Sequence, residues 1–174
     1  MSASSASARR SHGEAVRVDT VVDLGCADHG GAYSLPALVE HYEPARLFGF
    51  DPWPLLDERV TMVAGVPCIL RRTAAWVYDG EVQYLMAATS SSVGAGPWTV
   101  PCFDFSEWLL EIGPDAVAVK MDIEGAEYEL LAHLIRNGTD SLISELLIEW
   151  HGGRAEEREA LLAELDCPVR EWWI

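Results

Sequence analysis

Basic residues are scarce in this 174-residue chain: 12 Lys and Arg stand against 28 Asp and Glu, a formal net charge of −16. So acidic a composition offers no basic groove for nucleic-acid phosphates, and an anionic bilayer repels it. Neutral or cationic ligands suit it better. Long apolar runs are also missing, and none approaches the ~20 residues that span a bilayer. The four cysteines, Cys26, Cys68, Cys102 and Cys167, form no C-x-x-C pair. That excludes the usual zinc pattern and a dense disulfide framework, and predicts reduced thiols in a cytoplasmic protein. The first residues lack the apolar centre of a signal peptide. Residues 1–15 are read as a flexible tail and 16–174 as a single domain, long enough to bury a core.

What the chain does have is a hydrophobic content of 49% with seven tryptophans, the composition of a folded globule. Its organising stretch is 116–127. Small and β-branched residues predict a strand buried on both faces. Lys120, Asp122 and Glu124 alternate with Val119, Met121 and Ile123. Alternate residues share one side of a strand, so three charges converge where it ends. Gly125 then allows a turn, and 126–135 has helical spacing. A helix dipole accounts for acidic residues in a first turn, and Glu127 is read as such a residue. It does not account for Lys120 and Asp122 inside an apolar strand, where an unpaired charge is costly. Asp122 is therefore read as functional.

Around this stretch the pattern alternates strand and helix. A first strand over 16–24 ends at Asp23-Leu24-Gly25 and runs through Cys26-Ala27-Asp28-His29-Gly30-Gly31-Ala32-Tyr33 into a helix over 35–42. The turn is glycine-rich without being G-x-G-x-x-G. A second strand, 46–50, closes on Asp51, about 20 residues or slightly more past the glycine turn, where nucleoside-binding sheets hold a ribose diol. A third strand is expected over 68–76. Asp79-Gly80 signals a hairpin that returns over 81–86. Residues 89–96 read as a mobile loop, a possible lid. A short helix at 106–112, a strand at 146–151 carrying Glu149 and His151, a helix at 154–165 and an edge strand at the end complete the chain. The expected fold class is α/β, a three-layer Rossmann-like domain with a mainly parallel sheet and an antiparallel edge.

These residues resemble the FkbM family of S-adenosylmethionine-dependent methyltransferases, which have the class I methyltransferase fold. The strongest part is Lys120-Met121-Asp122-Ile123-Glu124-Gly125-Ala126-Glu127, a K-x-D-x-E-G-A-E run. Val22-Asp23-Leu24-Gly25, Gly31-Ala32-Tyr33-Ser34, Phe50-Asp51-Pro52 and Leu147-Ile148-Glu149-Trp150-His151 support it. The likeness covers roughly residues 18–151. Two departures stand out: a first turn one residue longer, with Asp28-His29 before the glycine pair, and a short chain overall. The resemblance implies that Asp23 and Gly25 border the methionine end of S-adenosylmethionine, with Asp28 and Tyr33 close by. Asp51 would hold the ribose, and Ala74 and Ala75 would approach the adenine.

The same resemblance implies O-methylation of a hydroxyl on a sugar, glycan or other small metabolite. Asp122, Glu124, Glu149 and His151 are the candidate catalytic residues. His151 is the first choice for the base that takes the hydroxyl proton, because its ordinary pKa is near neutrality. Glu149, Glu124 and His29 are its rivals. A divalent ion held by Asp122, Glu149 and His151 is a further option. Spacing does not separate that from a hydrogen-bonded acidic cluster, and the metal-free reading is taken. The competing functions are a nucleoside-cofactor oxidoreductase, disfavoured by the missing G-x-G-x-x-G, and a non-catalytic cofactor- or protein-binding module on the same fold.

Overall fold

A computed structural model describes residues 18–27, 34–86, 91–94, 96–113 and 116–172. The proposed tail, and Asp28, His29 and Tyr33 of the glycine-rich turn, lie outside them. Among the described residues, seven strands form one sheet: β1 (Thr20–Leu24), β2 (Arg46–Phe50), β3 (Arg59–Val63), β4 (Val66–Arg71), β9 (Val117–Met121), β10 (Ile143–Ile148) and β11 (Val169–Glu171). Their order is β11-β10-β9-β1-β2-β4-β3. All neighbours pair in parallel except β3, which joins β4 antiparallel at one edge. The α/β class and the antiparallel edge agree with the sequence pattern.

Among the described residues, four α-helices cover the sheet: α1 (Ser34–Tyr42), α2 (Phe105–Ile112), α3 (Glu127–Asn137) and α4 (Ala155–Glu164). The alternation of strand side chains decides which face each helix takes. Val21, Ala118 and Leu147 pack with Leu35 and Leu38 of α1. Their neighbours Val22, Val119, Met121 and Ile148 pack on the opposite face, with Leu109 of α2, Leu130, Leu131 and Leu134 of α3 and Leu161 of α4. Both faces of the inner strands are thus apolar, as parallel strands buried between helices require. Among the described residues, no helix is long and apolar enough to cross a membrane. All four cysteines are buried and unpaired.

The connections run in opposite directions from the middle of the sheet. From β1 the chain crosses by α1 to β2, on one side; from β9 it crosses by α3 to β10, on the other. Loops leaving the ends of β1 and β9 therefore part, and a crevice opens between them.

A second, four-stranded sheet interrupts this winding: β5 (Ala74–Trp76), β6 (Gly80–Met86), β7 (Ser91–Val93) and β8 (Trp98–Asp104), in the order β5-β8-β6-β7. Three expectations change here. The strand expected over 68–76 is two strands in two sheets. The hairpin expected at Asp79-Gly80 does not form, because β8 lies between β5 and β6 and is the antiparallel partner of β6. Of the expected loop, Ser91–Val93 is a strand paired with β6, while Thr89, Ser90 and Ala95 lie outside the described residues.

Candidate functional site

Gly25 follows β1 with φ +80°, and a Cβ there would sit 1.8 Å from the Asp122 carbonyl oxygen. Only a residue without a side chain lets the ends of β1 and β9 come so close. The Gly25 amide donates to the Phe50 carbonyl at 2.9 Å, which ties the end of β1 to that of β2 as well. Three strand ends therefore meet around one glycine.

Beneath them is a buried charge cluster. Asp23 and Lys120 stand at matched positions of β1 and β9 and so face the same side. Lys120 Nζ lies 3.1 Å from Asp23 Oδ1 and 3.1 Å from Asp122 Oδ2, and donates to the Gly25 carbonyl at 3.1 Å. Two carboxylates and a carbonyl oxygen thus surround the ammonium, which pairs with Asp23 by charge rather than by a well-aligned hydrogen bond. Burial works against the Lys120 charge, but Asp23 and Asp122 outweigh it and raise its pKa. Burial pushes the Asp23 carboxyl up, against the pull of Lys120 and of the Ser34 hydroxyl, which donates to Asp23 Oδ2. Asp23 has no exposed surface, so it supports the crevice from below.

Above the cluster lies a cleft of about 590 Å³, counting its space open to solvent, lined among others by Gly25, Asp51, Ala74, Ala75, Asp122 and Glu124. Tyr84 and Val93 of the second sheet line it too, and no sequence signal singled them out. Asp51 accepts from the Ala27 amide at 3.0 Å and from the Trp53 amide at 2.8 Å. The second bond is the turn-forming one that an aspartate before a turn makes. A neighbouring cavity is lined by Ser34, Lys120, Asp122, Glu149 and Trp172, among others. Gly25, Ala27 and Asp122 border both. Trp53, Trp76 and Trp98 line neither.

β10 ends at Ile148, three residues before the expected strand end, so Glu149 and His151 stand just beyond it. The Glu149 amide still donates to the Met121 carbonyl at 2.9 Å, which holds this segment beside Asp122. His151 Nε2 is 3.8 Å from Asp122 Oδ1, 3.6 Å from Glu124 Oε2 and 3.7 Å from Glu149 Oε1. All four residues named as candidates for catalysis thus come together around one imidazole.

The other ring nitrogen, Nδ1, lies 2.9 Å from Glu127 Oε1. Glu127, the first residue of α3, is fully buried and also accepts from the amides of Ile123 and Gly125 at 3.1 and 2.8 Å. The sequence marked Glu127 as a first-turn residue only; its carboxylate also aims His151 into the cluster. Glu127 holds the His151 proton most strongly, burial opposes it, and Glu124 and Asp122 add to the hold. Together they push the pKa to about 9. Burial is the main reason that Glu124 rises, with His151 opposing it. Glu124 also keeps a left-handed backbone, φ 57°, which costs a residue with a side chain about 1–3 kcal/mol.

The arrangement has the chemistry of a cation-seeking site: carboxylates outnumber the nearby cations, Lys120 and protonated His151. Asp122, Glu149 and His151 each offer one ligand atom within 4.8 Å of the other two, so they can also hold a metal ion. No known protein family, curated protein or solved structure matches the chain.

Proposed function

We propose that the protein is an S-adenosylmethionine-dependent methyltransferase of the class I fold that methylates a hydroxyl of a sugar, glycan or small metabolite. The observation that carries this reading is the gathering of Gly25, Asp51, Ala74, Ala75, Asp122 and Glu124 around one cleft at the reversal point of a parallel sheet. In such sheets nucleoside ligands lie outside the strand ends, at that point. The cofactor's sulfonium is cationic, and an acidic, partly enclosed cleft favours it by simple Coulomb attraction. Asp51 is the ribose residue in this reading, and the small side chains of Ala74 and Ala75 leave room for a flat base.

Methyl transfer needs the acceptor oxygen in line with the S–CH₃ bond, so positioning carries much of the rate. His151 keeps its proton at neutral pH and serves as a charged anchor in the resting site. Removal of the hydroxyl proton then falls to Glu124, whose raised pKa makes it a better base than an ordinary carboxylate.

Calorimetric titration with S-adenosylmethionine tests the reading, repeated on Asp51→Asn, which keeps the shape of the carboxylate but can donate where the ribose donates. Saturable binding, weakened at least tenfold in the variant, followed by release of S-adenosylhomocysteine in an acceptor screen, is the expected result. Absence of binding by folded wild type overturns it. Binding without turnover points to the non-catalytic module.

A further inference from the structure

The imidazole sets the group around Asp122, which borders both cavities, apart from a patch of surface carboxylates. We propose that Asp122, Glu149 and His151 form a binding site for a divalent cation of the transition-metal type. One ligand atom from each lies within 4.8 Å of the other two. His151 Nε2 stands 3.8 Å from Asp122 Oδ1 and 3.7 Å from Glu149 Oε1. Ligands bonded to one ion at ~2.1 Å are separated by roughly 3.0–3.5 Å, so the two pairs that include His151 need to contract by only a few tenths of an ångström, and the carboxylate pair lies within the 4.8 Å that bounds the group.

Two residues outside the three aim them inward. Glu127, fully buried at the start of α3, engages Nδ1 of His151 and so turns Nε2 toward the carboxylates. A histidine ligand is commonly fixed in this way, by a carboxylate on its far nitrogen, and the ion takes the place of the Nε2 proton that the resting imidazole carries, which is released on binding. Lys120, also buried, takes Asp122 Oδ2 and leaves Oδ1 facing His151. Each of these two ligands is thus held from behind by a buried charged side chain that is anchored elsewhere. Asp122 borders both cavities and Glu149 the second, so an ion between them would keep coordination positions open toward the space where a ligand sits.

The donor set selects the ion. One imidazole and two carboxylates suit Mn²⁺, Fe²⁺, Co²⁺ or Zn²⁺, whereas Ca²⁺ asks for six to eight oxygens and Mg²⁺ prefers oxygen and water. Binding of the ion does not depend on the methyltransferase reading. If that reading holds, the ion's chemical contribution is to orient the acceptor hydroxyl and lower its pKa.

The test uses untagged, chelator-stripped full-length protein titrated with Mn²⁺ and followed by the electron paramagnetic resonance signal of free Mn²⁺. One saturable site is expected. Glu149→Gln and His151→Gln should each weaken it at least tenfold, while Glu40→Gln, an exposed position on α1, should leave it unchanged. Because the protein is so acidic, weak binding scattered over many carboxylates is the result to guard against. Such binding, or variants that bind as tightly as wild type, overturns the proposal. A variant that fails to fold does not rescue it: the Co²⁺ complex of wild type must show a visible spectrum of mixed nitrogen and oxygen ligation, and a spectrum of aquated Co²⁺ overturns it alone. Titration with S-adenosylmethionine in excess chelator probes the cofactor reading separately, so either idea can fail without the other.

Discussion

Glu127→Gln removes one charge from a fully buried position and leaves the side-chain shape intact. Its effect on stability should depend on pH. His151 has an ordinary pKa of 6.5, raised in the folded protein to about 9. A raised pKa means that the folded state binds the proton more tightly, so the contribution is fully present below pH 6.5. It fades as pH rises and is lost above about pH 9. At ~1.4 kcal/mol per unit, all the partners of His151 together contribute about 3 kcal/mol below pH 6.5, less some screening because the ring is partly open to water. Glu127 is the largest contributor and accounts for about 2 kcal/mol of this. The variant also costs about 1 kcal/mol at any pH, because an amide group cannot accept from the amides of both Ile123 and Gly125 while meeting His151. Urea unfolding of wild type and variant, with chelator present, should therefore show a loss of about 3 kcal/mol at pH 6 and about 1 kcal/mol at pH 10. Equal losses at the two pH values would refute the pairing of a charged His151 with Glu127.

The strand–helix alternation was legible because the inner strands are apolar on both faces and the helices carry their own stop signals, such as Gly138 in the left-handed conformation after α3. What escaped had a local sequence at odds with its place. In β3, Val60 and Met62 point to solvent, 74% and 60% exposed, so no buried stripe marks the strand. In β8, Pro101 argues against a strand; it is tolerated where β6 is the only partner, since β5 pairs with just Cys102, Phe103 and Asp104. The charges in the central strand were visible as an anomaly, but their partner was not. Asp23 is 97 residues from Lys120 in the chain and meets it only through the register of β1 on β9. For the same reason Glu127 read as a helix-start residue: its second role depends on His151, which arrives from the end of another strand.

Two further substitutions test the framework under the cleft. Gly25→Ala should cost about 2–4 kcal/mol in a denaturant melt, since the new Cβ falls 1.8 Å from the Asp122 carbonyl in a left-handed backbone, and neighbouring strand ends must part to admit it. A loss below about 1 kcal/mol would mean that the strand ends are not locked together. Lys120→Met keeps the apolar length and removes the ammonium, which leaves Asp23 buried with Ser34 as its remaining polar partner and releases Asp122. Breaking a buried pair from one side typically costs 3–5 kcal/mol, of order the stability of a domain this size. Removing both charges should cost less than removing one, so Asp23→Leu combined with Lys120→Met is expected to be more stable than Lys120→Met alone. Should the double variant instead be the weaker by the sum of the single losses, the two side chains act independently, and the ion pair is not what holds β1 to β9 at this point.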